Sequence, residues 1–279
     1  MKNNRKYYIF SALRMLILAL ILFMALFPLF WMVLTSSKNM TELLKIPATI
    51  LPENFTLEAY RTVWVDKPFV TYISNSLKIS IVATFLGMVV SCMAAYGFAK
   101  FRFPFKKTLL MFVLVAQMFP STSIIIPLFS IYKSYGLYDS HLGLMLLYAT
   151  ISLAFSIWMM YGYFKGVPRE LEEAARIDGG GALKIFVNII LPISKPGIAA
   201  VGVYAFMCSW NEYLYSLILL TTDTKYTISL GLSRFITEFG TYWNEMGAAS
   251  IVVTIPTLLI FMLLGKNLIA GLTAGAVKG

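Results

Sequence analysis

The sequence predicts an all-α membrane protein: six transmembrane helices with a two-helix loop on the cytosolic side, forming one domain over residues 1–279. Three observations predict it. Of the 279 residues, 59% are hydrophobic and 13% charged, against about 25% charged in a soluble domain, so a polytopic membrane protein is the first class to test. Apolar runs near the roughly 20-residue length that crosses a hydrocarbon core recur along the chain. One polar stretch, residues 167–197 (VPRELEEAARIDGGGALKIFVNIILPISKPG), interrupts them in a way that lipid would not tolerate.

The elements follow in order. The spans are expected at about 16–34, 72–99, 109–132, 142–164, 198–220 and 248–264. The first exceeds the apolar core of a signal peptide and lacks a small-x-small cleavage pattern, so it reads as a signal anchor. The second contains Lys78, near enough to its start to snorkel to the interface. Between these two, residues 57–65 are expected to hold some helix. Pro28, Pro120, Pro127 and Pro256 fall inside spans, where each removes a backbone donor and can bend a helix. Those in QMFPSTSIIIPLF stand beside Gln117, Ser121, Thr122 and Ser123, which suits either a packing bend or a helix that lines a cavity.

Orientation follows from basic residues, which accumulate on the cytosolic side. They cluster at Lys2, Arg5, Lys6 and Arg14, again at Lys100, Arg102, Lys106 and Lys107, and again along the 167–197 stretch. Both termini and that stretch are therefore expected in the cytosol of a multi-pass protein of a bacterial-type plasma membrane. The net charge of +10 belongs to these flanks, not to a nucleic-acid-binding stripe. Outside, Phe235, Tyr242 and Trp243 read as interface anchors. Cys92 and Cys208 both sit in apolar runs and read as packed thiols.

No catalytic chemistry is apparent. The one histidine, His141, stands at a span edge and reads as solvated. There is no HExxH metal motif and no GxxxxGK[ST] phosphate loop, so this chain is not expected to hydrolyse ATP. The three glycines at 179–181 follow no strand and lack the closing Lys-Ser/Thr pair. One acid stands at membrane depth, Glu212 in SWNEY. A carboxylate there faces a bundle interior or an aqueous path. With Trp210 and Asn211 it offers the mixed polar and aromatic surface that a sugar wants, although a polar knot joining helices has the same composition. Tyr148, Ser152 and Phe155 are four and three apart, so they share one face of an unbroken helix. That face suits either packing or a substrate path.

The 167–197 stretch carries helix signals of its own. Pro168 suits a first turn, Glu170, Glu172 and Glu173 suit the positive end of a helix dipole, and Asp178-Gly179 ends the segment. A second helix from about Ala182 places Leu183, Phe186 and Ile190 on one face. The expected product is a compact knob whose alanines admit close approach by another surface.

At these residues the chain resembles the permease subunits of binding-protein-dependent ABC importers of type I. Glu173-Ala174-Ala175, Asp178-Gly179, Phe186, Leu191-Pro192 and Pro196 match their EAA loop. NSLKIS at 75–80, AAYGFAKFRF at 94–103, WNEY at 210–213 and GLTAGAVKG at 271–279 are similar to the carbohydrate-uptake branch, in particular to the second, six-span permease of the maltose system. Gly180-Gly181 departs from the bulkier residues usual after the Asp-Gly pair, which is expected to loosen the turn. The resemblance implies a heterodimer with a second permease subunit, two cytosolic ATPase subunits that carry ATP and Mg, an extracytoplasmic solute-binding protein and a sugar substrate. This chain itself carries no cofactor. It further implies that Glu173, Ala174, Ala175, Asp178, Gly179 and Phe186 couple to the ATPase, and that the tail, with Gly275, Lys278 and Gly279, inserts between the ATPase subunits. In some relatives only the partner permease holds the sugar. Cargo of the glycerol-phosphate, polyol or uronate type is compatible with the same family, whereas a stand-alone secondary transporter or a membrane enzyme fits the residues less well.

Overall fold

The computed structural model describes residues 2–238 and 240–276, with side chains for 7–8, 10–238 and 240–263. In chain order its helices are α1 (Lys2–Ser36), α2 (Met40–Leu43), α3 (Glu58–Arg61), α4 (Phe69–Lys100), α5 (Lys106–Ala116), α6 (Ser121–Ser134), α7 (His141–Ile151) and α8 (Leu153–Gly166). These are followed by α9 (Arg169–Ile177), α10 (Ala182–Ile185), α11 (Leu191–Ile193), α12 (Lys195–Trp210), α13 (Leu214–Leu219), α14 (Ile228–Ser233) and α15 (Trp243–Ala276). Two π-helical turns, Thr62–Asp66 and Phe186–Ile190, continue α3 and α10. The two-residue strands Ile236–Thr237 and Gly240–Thr241 pair antiparallel.

Among the described residues, three segments are each long and apolar enough to cross a membrane: Phe10–Ser36, Phe69–Lys100 and Trp243–Leu263. Three pairs of helices meet the same test only jointly, because each is bent: α5 with α6 by 91°, α7 with α8 by 47°, and 182–193 with α12 by 81°. The third span expected over 109–132 is therefore two helices. Pro120 has no N–H to donate and disfavours helix at the residue before it, so α5 stops and Pro120 becomes the N-cap of α6. The fifth run, expected over 198–220, ends at Trp210. The Glu212 carboxylate draws the N–H groups of Tyr215 and Ser216 to itself and begins α13 instead. Pro28 and Pro256 lie within α1 and α15 without ending them.

Packing groups the chain into two units. The first comprises residues 1–69 and 232–254. Along α1 the rings of Phe23, Phe27 and Trp31 follow one another at 5.9 Å, as four-residue spacing on a helix requires, and most of this helix is exposed. Its end is buried. The Ser36 and Ser37 hydroxyls donate back to the carbonyls of Val33 and Leu34, each at 2.9 Å, and Lys38 donates to the Thr49 carbonyl. Glu42 accepts from the Glu53 N–H and the Thr49 hydroxyl, each at 2.9 Å. The backbone bond from Glu53, with the Thr49 hydroxyl, holds its carboxyl below the ordinary range despite some burial. Phe235 is not an interface anchor: it is 1% exposed, 5.4 Å from the Phe69 ring and under the Lys67 ammonium, which pairs with Glu245. Tyr242 and Trp243 remain about half exposed.

The second unit comprises residues 70–231 and 255–279. Among its described residues, two clusters of buried side chains stand out. One gathers Ile79, Ala83, Leu144, Leu147 and Tyr148 with Leu219, Leu220 and Leu230. The other gathers Cys92, Tyr96, Met160, Phe164 and Val201 with Ile185, Phe186 and Ile190 of the polar stretch. Both cysteines are free thiols, Cys92 buried and Cys208 half-buried. Asn75 and Ser76 have a role in this unit. The Asn75 amide donates to the carbonyls of Thr224 and Tyr226 at 2.9 and 3.0 Å, and the Ser76 hydroxyl accepts the Ile228 N–H at 2.7 Å. His141 is not merely solvated, because its Nε2 bonds the Lys225 carbonyl at 2.9 Å. Beside it Asp139 pairs with Lys225 at 2.9 Å and accepts the Thr222 hydroxyl at 2.6 Å. Burial pushes the Asp139 carboxyl up, but Lys225, the Thr222 hydroxyl and the N–H groups of Thr221 and Thr222 outweigh it and hold the group well below the usual carboxylate range.

The tightest backbone approach lies at the start of α7. A Cβ on Gly143 would sit 2.3 Å from the Leu137 carbonyl oxygen. Because the obstacle is backbone, relief requires a shift of the main chain. Gly143→Ala is expected to cost about 1–3 kcal/mol, as overpacking does, and to lower the melting temperature in detergent. Gly162→Ala, where a Cβ meets nothing within 4 Å, is the matched control and should melt with the wild type.

Candidate functional site

The knob is built from α9 to α11. Glu170 and Glu172 occupy the first turn of α9 behind Pro168, where acids complement the helix dipole. The helix ends in a Schellman motif. Gly179 takes φ +77°, its N–H donates to the Arg176 carbonyl at 3.0 Å, and the Gly180 N–H reaches back to Ala175 at 2.8 Å. Of the two extra glycines, Gly180 has a steric role in this turn. A Cβ at Gly180 would lie 2.6 Å from the Ala175 oxygen, so glycine lets the motif close tightly.

The knob has two faces. Leu171, Glu173, Ala174, Ile177, Asp178, Gly179 and Leu183 are exposed, Ile177 by 86% and Leu183 by 73%. Ala175 is half-buried and packs towards the cluster beneath. Phe186 is not on the outer face with the residues it was grouped with. It is 8% exposed, with its ring 4.7 Å from Tyr96 and 6.1 Å from Phe164. Leu183 and Phe186 stand about 60° apart around a helix of 3.6 residues per turn, and the boundary between the outer and inner faces falls between them, with Ile185 and Phe186 buried. Phe186 therefore fastens the knob to α4 and α8, assisted by the Tyr96 hydroxyl, which donates to the Ala182 carbonyl at 3.3 Å.

Glu172 was expected only as a dipole partner. Its carboxylate turns inward and forms an ion pair with Lys100, the two side chains being 7% and 6% exposed. Lys100 also donates to the Val167 carbonyl at 3.1 Å. Nothing local in the sequence marks this pair, since 72 positions separate its members.

The residues proposed for a solute path divide in the same way. Tyr148 and Ser152 are 1% and 2% exposed, whereas Phe155 is 43% exposed with its ring 4.4 Å from Tyr204. They do not share one face, because the helix breaks at Ser152. Gln117, between α5 and α6, donates to the Ile151 carbonyl at that break at 3.1 Å. Trp210 is 1% exposed and stacked on Phe206 at 5.6 Å. Asn211 is exposed, its amide donating back to Met207 at 2.9 Å. Glu212 is half-buried. It accepts the Tyr148 hydroxyl at 2.6 Å and the N–H groups of Tyr215 and Ser216 at 2.9 and 3.3 Å. Its carboxylate thus joins α7 to the start of α13, and in this conformation Asn211 and Phe155 are the members of the set that present surface. In the tail, Gly275 falls within α15, while Lys278 and Gly279 lie outside the described residues.

This architecture agrees with known proteins. Residues 83–273 match the family described as the binding-protein-dependent transport system inner membrane component. The inner membrane ABC transporter permease protein YcjP of Escherichia coli K12 is 35% identical over 264 residues, covering 94% of each chain. The trehalose transport system permease protein SugB of Mycobacterium tuberculosis is 33% identical over 257 residues, covering 91% of this chain and 93% of that one. Among solved structures, a chain of a bacterial ABC transporter involved in the import of the acidic polysaccharide alginate superposes with a TM-score of 0.79 at 23% identity, over 94% of this chain and 97% of that one. The fold, the knob and these alignments agree: this chain belongs to the binding-protein-dependent transport system inner membrane component family, as an ABC transporter permease subunit rather than an ATPase.

Proposed function

We propose that this chain imports a neutral sugar or oligosaccharide as one half of a heterodimeric permease, driven by a cytosolic ATPase that docks on the knob. The observation that carries this reading is the knob itself. Its outer face is exposed and partly apolar, with Leu171, Ala174, Ile177 and Leu183 around Glu173 and Gly179, while its inner face is bolted to the spans by Ile185, Phe186 and Ile190. Such a body can receive displacement from a partner and deliver it to the helices. The three continuous spans and three bent pairs act as six crossings, and the basic flanks place both termini in the cytosol. An extracytoplasmic solute-binding protein delivers the cargo, ATP and Mg stay on the ATPase, and the tail from Gly275 extends the ATPase contact. A sugar cargo is supported by the relative that carries trehalose in its name. Neutral cargo is favoured because Asn211 and Glu212 provide no cation, and Lys78 is the one basic residue expected well inside a span.

The test is reconstitution in proteoliposomes with the second permease, the ATPase and the binding protein. Uptake should require ATP and the ATPase, and one sugar in a screen should stimulate hydrolysis through the binding protein. ATP-independent uptake by this chain alone would overturn the reading, and stimulation only by anionic solutes would overturn the neutral cargo.

A further inference from the structure

A docked partner moves the spans only if the knob and the spans move as one body. The covalent link is poor for this purpose. Between the end of α8 at Gly166 and the start of α9 at Arg169, the chain passes through Val167 and Pro168 in an extended conformation, a natural place for bending. Packing of Phe186 on Tyr96 and the bond from the Tyr96 hydroxyl to the Ala182 carbonyl hold α10 to α4, but neither involves α9 or the Val167–Pro168 link.

One ammonium group spans the hinge. Lys100 is the last residue of α4. Its Nζ pairs with Glu172 in the first turn of α9 and donates at 3.1 Å to the carbonyl of Val167, the residue that caps α8. Three elements meet at that one nitrogen. Both charged side chains are more than nine-tenths buried, where water does not screen the attraction and a misplaced charge is costly. The neighbouring carboxylates of Glu172 and Glu173 point opposite ways, one buried against Lys100 and one exposed on the outer face. A buried ion pair is weak evidence for stability, because apolar residues of similar volume hold a fold as well or better. What it adds is a specific tie: one ammonium group pairs with the Glu172 carboxylate and hydrogen-bonds the Val167 carbonyl, so α4, α9 and the Val167–Pro168 link are held at one point.

We propose that the Lys100–Glu172 ion pair is a positioning pin that locks the knob to α4 and α8, so that displacement of α9 reaches the spans instead of being absorbed at Val167–Pro168. This rests on the docking reading above. Lys100 and Glu172 act through the geometry of the knob and touch neither nucleotide nor sugar.

The experiment compares sugar moved per ATP hydrolysed in the complete reconstituted transporter. The double variant Lys100→Met/Glu172→Leu removes both charges together and leaves neither one buried alone. It should co-purify with the ATPase as the wild type does and keep ATP hydrolysis, while the transport ratio falls about tenfold, within the range by which mutations along a coupling path act. Lys100→Arg, which keeps the charge, should keep the ratio. A wild-type ratio in the double variant overturns the pin. Should the double variant not assemble, Glu172→Asp decides instead. Its carboxylate is one methylene shorter, so it should lower the ratio while Lys100→Arg does not, and equal ratios in the two overturn the proposal. If the wild type shows no ATPase-dependent uptake, the docking reading itself fails. If it does, and Gly179→Trp uncouples while the double variant does not, only the pin fails.

Discussion

Gly179→Trp is expected to abolish ATP-driven uptake while the chain still reaches the membrane. Gly179 sits at φ +77°, a left-handed conformation that costs a residue with a side chain about 1–2 kcal/mol. That cost falls on the Schellman turn, whose bonds to Arg176 and Ala175 set the angle between α9 and α10. A Cβ there meets no atom of this chain within 4 Å, so the core is untouched and the large side chain projects from the exposed face of the knob. The loss should therefore lie in engagement with the ATPase, read as loss of co-purification and of uptake with an unchanged amount of protein in the membrane. Gly181→Ala is the control. Gly181 has φ −72° and open space around it, and its variant should transport normally. Wild-type uptake by Gly179→Trp would remove the knob from the mechanism.

Glu212→Ala is expected to destabilise the protein as well as to test the path. Three donors converge on this carboxylate: the buried Tyr148 hydroxyl and the N–H groups of Tyr215 and Ser216. Removing it takes the carboxylate acceptor from the buried Tyr148 hydroxyl, at about 1–3 kcal/mol, and leaves the N–H groups of Tyr215 and Ser216 in the first turn of α13 without theirs. The expected readout is a lower melting temperature in detergent and less assembled transporter. Glu212→Gln, which keeps one carbonyl acceptor, should recover part of the loss. Asn211→Ala separates structure from transport. The Asn211 amide only folds back on its own helix, so stability should hold, and a fall in uptake alone would mark Asn211 as touching the solute. If Glu212→Ala melts and transports like the wild type, neither the capping role nor the path role survives.

Much of this was legible in one dimension. The runs that begin near residues 16, 72 and 248 needed only apolar length, and α1, α4 and α15 appear there. Asp178-Gly179 was read as a helix stop, and it is one, because the left-handed conformation at a C-cap is a local demand that glycine meets. The bends were less legible. Pro120 was noted, but apolar length alone does not distinguish a bend from a break of 91°. In sequence Glu212 fits either the lining of a path or a polar knot joining helices. That its carboxylate also ties the start of α13 to α7 depends on the Tyr148 hydroxyl, which stands 64 residues away in sequence.

By itself the sequence determined the class of protein, the approximate span positions, the polar knob and its motif. Each rests on local properties: apolar length, charge bias, helix signals at fixed spacing. Only the tertiary structure decided which side chains face out. The break at Ser152 splits Tyr148 from Phe155, packing against Tyr96 and Phe164 takes the Phe186 ring inward while Leu183 stays exposed, and Lys100 finds Glu172 only once α4 and α9 have packed. Facing is a matter of helix phase and long-range partners, and a shift of part of a turn suffices to move a residue from a working surface into the core.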